Sequence, residues 1–318
     1  MSPPSATRVP LPSCSAFSFL YGESLAGTAP TAATWLAIEQ PGPWGARALT
    51  ESHFDPELGA ELNRRAQGTG VRISLIRRVG RHTLSQESGP RTVLIASTLP
   101  SHSDFRALTV RDPRELLDLD FAALGAGRID AGDPHPEPAL LVCTNSKRDR
   151  CCAVLGRSLA LGLAELHGGV AHAKLWETDH LGGHRFAPTA LVLPGGYLYG
   201  RLDVQTALLA AERAAKGEMS PELCRGRSTW SRMGQAADLA LRTDLALYTA
   251  DAVEVVAEEE LTAGLWAVTA LANDIEYRVL VEQTTAAEPR PESCGKPAGT
   301  PAALHVVAIE RAEVPARV

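Results

Sequence analysis

Two cysteines and two histidines carry the chemistry that this chain most plainly offers. Cys143 and Cys152 lie in LVCTNSKRDRCCAV, and His180 and His184 lie in WETDHLGGHRFAP. Thiolates are soft donors and imidazoles borderline ones, so the set suits an iron-sulfur cluster or zinc, whereas calcium and magnesium prefer oxygen. Cys143 ends a predicted strand. Cys152 falls in the first turn of the following predicted helix, where free N–H groups and the positive end of the dipole favour a thiolate. Gly182 and Gly183, between the two histidines, permit a tight backbone. A further thiol, Cys151, adjoins Cys152; successive helical side chains point about 100° apart, so only one of the two is expected to reach a shared site.

The elements that must hold these residues read as α/β. In the first part, strand WLAIE, turn PGPWG and helix PELGAELNRRAQ precede strands VRISLIRR, TVLIAST and FRALTV and a helix at RDPRELLDLD. These form an α/β unit over residues 1–132. After the Pro/Gly-bearing AGDPHPEP at 131–138 the order recurs: strand ALLVC, first ligand loop, helix AVLGRSLALGLAEL, strand AHAKLWET, second ligand loop, strands TALVLP and YLYGRL, and helix VQTALLAAERAAK. This is a second unit, residues 133–218. The halves share element order with little residue identity, as a degenerate duplication would. If the sheet is wound as that order implies, both ligand loops leave the same end of neighbouring strands. Residues 219–318 read as an α+β extension: a helix capped by Ser228, strands LWAVTAL, EYRVLVEQ and LHVVAIE, and a mobile surface loop at TTAAEPRPESCGKPAGTP.

Composition narrows the function. A net charge of -6 from 31 basic and 37 acidic residues, with only four lysines among the former, opposes a nucleic-acid role. No apolar run of about 18 residues is present and the first residues lack a signal-like pattern, so a cytoplasmic protein without a membrane span is expected. In a reducing compartment the six cysteines are ligands or small packed residues rather than disulfides. Cys14, Cys224 and Cys294 have no second donor nearby in sequence and are expected to be packed. Trp35 and Trp44 are expected in the core, Arg225 and Arg227 in surface ion pairs in preference to an anion site. Lys147, Arg148 and Arg150 form a small basic run that is either a solvated loop or an attraction for an acidic redox partner.

The pattern of Cys143, eight residues, Cys152, then His180-Leu-Gly-Gly-His184, Ala187-Pro188 and LPGGYLYGRL resembles the sucrase/ferredoxin-like family, as do WLAIEQPGPWG at 35–45 and RGRSTW at 225–230. The resemblance implies a thioredoxin-like ferredoxin domain at 133–218, preceded by a thioredoxin-like α/β unit and followed by the α+β extension. It implies a [2Fe-2S] cluster with Cys143 and Cys152 on one iron and His180 and His184 on the other. The family pattern places its second thiolate directly before a small residue, here Ala153, and so selects Cys152 over Cys151. Pro188 stands where such folds often have a structural proline, and a trans bond is the expectation there. The family name mentions a sucrase, but glycoside hydrolysis needs a pair of carboxylates flanking a sugar, and no such pair is singled out.

The implied function is electron transfer with reductase and acceptor proteins as partners, not conversion of a substrate. Two imidazoles in place of two thiolates raise the potential, and their second nitrogens allow electron uptake to be coupled to proton uptake. Two alternatives use the same residues. A zinc-stabilised interaction protein would hold one ion in the four donors, although the gap between the cysteines exceeds usual zinc-finger spacing. A thiol oxidoreductase would use Cys151 and Cys152, without a C-x-x-C motif.

Overall fold

Residues 13–80, 89–166, 174–286 and 288–312 are described by a computed structural model. The chain opens with helix α1 (Cys14–Leu20), followed by β1 (Thr34–Glu39), α2 (Pro56–Ala66), β2 (Val71–Arg78), β3 (Arg91–Ser97) and β4 (Phe105–Val110). A 3₁₀ turn at Pro113–Asp118, α3 (Phe121–Gly125) and the short β5 (Asp133–Pro134) lead to β6 (Ala139–Cys143). A wide π-helical turn, Cys152–Gly156, then runs into α4 (Arg157–Leu166). β7 (Leu175–Thr178), β8 (Ala190–Leu193), β9 (Tyr197–Tyr199), α5 (Val204–Ala214) and β10 (Cys224–Arg227) complete this part. The remainder is α6 (Arg232–Leu245) and strands β11 (Val253–Thr262), β12 (Leu265–Ala272), β13 (Ile275–Thr285) and β14 (Ala302–Arg311).

Local chemistry accounts for these elements. In α2 the Asp55 carboxylate accepts from the N–H groups of Glu57 and Leu58, Pro56 occupies the first turn, and Arg64 and Arg65 complement the negative end of the dipole. β1 sends Trp35 and Ala37 to one face and Leu36 and Ile38 to the other, all fully buried, as a strand covered on both sides requires.

Ten strands join in one sheet, in the order β10-β9-β8-β6-β7-β2-β1-β3-β4-β5. One plan recurs within it. β1 is parallel to β2 and antiparallel to β3, which pairs with antiparallel β4; β6 is parallel to β7 and antiparallel to β8, which pairs with antiparallel β9. The two sets meet edge to edge where β2 and β7 run antiparallel, Ile76 opposite Thr178. On one face Leu36, Ile38, Leu75 and Val93 pack with Leu58 and Leu62 of α2, and Leu140 and Val142 pack with Leu159, Leu163 and Ala207 of α4 and α5. On the other, Trp35, Ile76, Leu141, Cys143 and Trp176 pack with Cys14, Ala29 and Ala32 of the N-terminal segment and with Leu181 and Ala187 of the second ligand loop.

The second sheet, β11-β12-β13-β14, is antiparallel, and α6 lays Met233, Ala236, Ala237 and Leu241 against its Val268, Ala270, Val279 and Val281. Several sequence expectations change here. α6 is capped by Ser231, whose Oγ accepts from the N–H groups of Met233 and Gly234; Ser228 instead accepts from Trp35 Nε1 at 3.0 Å inside the core. RDPRELLDLD forms only a 3₁₀ turn. In AHAKLWET the strand begins at Leu175, and residues 171–173 lie outside the described ones. The Ala187-Pro188 peptide is cis, as is Leu193-Pro194. No described helix is long and apolar enough to cross a membrane.

A buried ion pair ties α6 to the large sheet. Arg242 Nε donates to Asp238 Oδ1 at 2.8 Å, and its other nitrogens reach Tyr197 OH at 2.9 Å and the carbonyls of Thr249 and Ala250 at 2.8 and 2.7 Å. Neither Arg242 nor Asp238 is exposed to solvent. Arg242→Met, which strips Asp238 of its partner, should therefore reduce unfolding free energy by about 3–5 kcal/mol. Urea denaturation would check this, and a loss below about 1 kcal/mol would mean that the pair does not hold α6 in place.

Candidate metal centre

Every residue of β6, ALLVC, is buried, and its last side chain, Cys143, stands on the face opposite α4 and α5. The Cys143 thiol points at the Asp179 carbonyl, 2.8 Å away at the end of neighbouring β7. Because β6 and β7 are parallel, with Cys143 opposite Thr178, the loops that follow them leave the same end of the sheet. The first loop is pinned on both sides. Thr144 Oγ1 donates to the buried Glu177 carboxylate at 2.9 Å, itself paired with Arg77 at 2.6 Å across the seam between the two strand sets. Asn145 Nδ2 donates to Gly45 O at 3.0 Å, which gives the PGPWG turn a role in holding this loop.

The loop ends at Asp149, a buried N-cap whose Oδ1 accepts the Cys151 N–H at 2.8 Å. The helix then seats directly on the strand end: a Cβ on Gly156 would overlap the Cys143 carbonyl oxygen, so only glycine allows this approach. Helical rotation separates the adjacent thiols. Cys152 faces Cys143, whereas Cys151 faces Cys14 at 3.4 Å and Cys294 at 3.3 Å.

The histidine loop is held by arginines. Arg72 on β2 donates to the His180 carbonyl at 3.3 Å. Gly182 and Gly183 both adopt left-handed backbone, at φ 75° and 67°, and the Gly182 carbonyl accepts from Arg225 at 3.1 Å. Arg225 also bonds the Thr28 hydroxyl and carbonyl, so one guanidinium joins the N-terminal segment to the loop. This corrects the surface expectation for both arginines: Arg225 and Arg227 are buried, the latter donating to Thr98 O at 2.9 Å and Asp251 at 2.7 Å. After Gly183 a 3₁₀ turn, His184–Phe186, stacks the His184 ring on that of His180 with centroids 4.5 Å apart.

Cys143, Cys152, His180 and His184 thus come together, and the electrostatics of Cys143 and His184 suit metal ligation. The Cys152 thiol donates to Cys143 and holds it well below the usual thiol range, with the His180 imidazole assisting; the same contact raises Cys152. Burial, then the neighbouring His180, pushes His184 down to about 4. Burial, then the Cys143 charge, pushes Asp179 up to about 7 against the pull of Arg72. Neutral imidazole and thiolate are the forms that bind metal. His184 Nδ1 is buried without a hydrogen-bond partner, an arrangement that a metal bond would satisfy.

Among the described residues, groups of three or more ligand atoms within 4.8 Å of one another occur at Cys14, Asp149, Cys151 and Cys294, and not within the Cys143, Cys152, His180 and His184 set. Cys14 and Cys294 do pack in the core as expected, but there they meet Cys151 and Asp149. The mobile-loop reading of TTAAEPRPESCGKPAGTP is overturned: Arg290 in it is buried against Glu23, and Cys294 N–H donates to Asp149 at 2.9 Å. No local spacing signalled this, since 137 residues separate Cys14 from Cys151 and 143 separate Cys151 from Cys294.

The contact at Gly156 yields a test of how the thiol side is built. Gly156→Ala should push the helix start away from the Cys143 carbonyl and destabilise the fold by about 1–3 kcal/mol, as overpacking does. Chemical denaturation measures the loss, and an unchanged midpoint would show that the helix does not need this close approach.

The sucrase/ferredoxin-like family matches residues 25–226. That span contains both ligand loops and reaches from the segment before β1 into β10, while the four-stranded sheet lies beyond it. Neither the curated proteins nor the solved structures provide a match. With the greater part of its 318 residues matched, including the strands and loops that bring the four candidate ligands together, the chain belongs to the sucrase/ferredoxin-like family.

Proposed function

We propose that this protein is an electron carrier that holds a [2Fe-2S] cluster, with Cys143 and Cys152 on one iron and His180 and His184 on the other. The carrying observation is the convergence of these four donors at one end of β6 and β7, with a buried imidazole nitrogen of His184 left without a partner. When bound, such a cluster supplies one-electron transfer.

The chain's own residues prepare the place. Leu181 and Phe186 are fully buried beside the histidines and give that side of the site an apolar wall. Two neutral imidazoles in place of thiolates leave the donor set two charges less negative, which favours taking up an electron. Lys147, Arg148 and Arg150 are exposed on the first ligand loop and offer an acidic redox partner a landing point. The repeated strand plan supports reading both halves as thioredoxin-like, and the buried free thiols suit a reducing, cytoplasmic setting. The thiol oxidoreductase alternative loses support because Cys151 and Cys152 face different clusters.

Protein purified anaerobically from iron-replete cells should be reddish brown, bleach with dithionite and contain about two irons and two sulfides per chain. Cys143→Ser and Cys152→Ser should lose the iron, while Cys151→Ser retains it. A colourless, iron-free wild type, or a coloured Cys152→Ser beside a colourless Cys151→Ser, would overturn the assignment.

A further inference from the structure

We infer a second metal site in this protein, a closed structural zinc site made by Cys14, Cys151, Cys294 and Asp149. Its donors do not overlap with those of the proposed electron-transfer centre. The three sulfurs form a nearly equilateral triangle with edges of 3.3, 3.4 and 3.6 Å. Tetrahedral zinc with bonds of about 2.3 Å sets its thiolates about 3.8 Å apart, so this triangle closes round one ion with a movement of a few tenths of an ångström. The fourth donor is in place, Asp149 Oδ1 lying 3.9 Å from Cys14 Sγ and all four ligand atoms within 4.8 Å of one another.

The surroundings are those of a ligand set rather than of packed thiols. The Asp149 carboxylate is oriented by the N–H groups of Cys151 and Cys294, at 2.8 and 2.9 Å, and by the Ser293 hydroxyl at 2.8 Å. Ser15 Oγ donates to Cys151 Sγ at 3.3 Å. Such outer hydrogen bonds fix the direction of metal ligands. Cys14, Cys151 and Asp149 are buried, so the site is closed as structural zinc sites are. A disulfide would join two sulfurs at about 2.05 Å and leave the third thiol unmatched. A carboxylate with three thiolates suits zinc, whereas a hard ion would reject the sulfurs.

Binding replaces the thiol protons, which pass to solvent, and surrounds a dication with three thiolates and a carboxylate. The result is a staple: the ion would fasten α1, the helix that follows the first ligand loop, and the β13–β14 loop at one point. Metal bound only by the folded chain adds its binding free energy to stability.

The test uses the full chain, expressed with zinc and iron, purified anaerobically in a thiol-free reductant, and assayed for both metals. Wild type should carry about one zinc, and so should Cys143→Ser/Cys152→Ser, which loses only iron. Cys294→Ser, on a partly exposed loop, and Cys14→Ser should each weaken zinc binding by at least about tenfold in chelator competition. Both should lose the thiolate–cobalt absorption that wild type shows after cobalt exchange, and circular dichroism verifies that they fold. Three results would each overturn the site: a wild type that takes up neither zinc nor cobalt, zinc binding unaffected in both single variants, or an anaerobic intact mass lower by two hydrogens, which marks a disulfide. Zinc lost from Cys143→Ser/Cys152→Ser but kept in Cys294→Ser would place the ion in the other donor set and refute the inference equally.

Discussion

Parallel pairing of β6 with β7 is the constraint on which the centre depends. A parallel neighbour is reached only by a crossover, so the chain leaves β6, forms a helix and returns, and both exits then lie at one end of the sheet. Cysteines placed at one exit and histidines at the other meet without long side chains. An antiparallel pair would have put the two loops at opposite ends. The pairing is itself protected: β8 covers one side of β6 and β2 covers the far side of β7, so neither strand is an edge.

Arginine supplies much of the remaining rigidity, which accounts for a basic composition in which lysine is scarce. Arg72 and Arg225 hold carbonyls of the histidine loop, Arg227 holds Thr98, Arg242 holds the turn after α6, and Arg201 bonds the backbone of Ser18 and Glu23. Each task needs a planar fork of donors that stays charged when buried; an ammonium, more strongly hydrated and less directional, would serve less well. Loops without regular pairing thereby satisfy buried carbonyls that would otherwise be stranded.

Strands with strong apolar alternation were legible from the residues alone: VRISLIRR and FRALTV correspond to β2 and β4 over their full length. β11 was not, because VEVVAEEELT is an edge strand with Val253 as its one buried residue, and its glutamates mask the alternation. The cap of α6 was misplaced because Ser228 and Ser231 look alike locally, and only the tertiary contact with Trp35 distinguishes them. The contrast between the two donor clusters has the same origin. Cys143 with Cys152 and His180 with His184 are each close in sequence, so spacing reveals them, whereas Cys14, Cys151 and Cys294 are joined only by the fold.

The separation of 280 residues between Cys14 and Cys294 bears on biosynthesis. During vectorial synthesis the whole of that interval is made before Cys294 follows, at about 5–20 residues per second, by which time the strands of the large sheet have already been made. For many seconds Cys14 and Cys151 are therefore without their third thiol, and the loop that covers them does not yet exist. The nascent chain's thiols are most open to oxidation during that interval, and the arrival of the β13–β14 loop ends it.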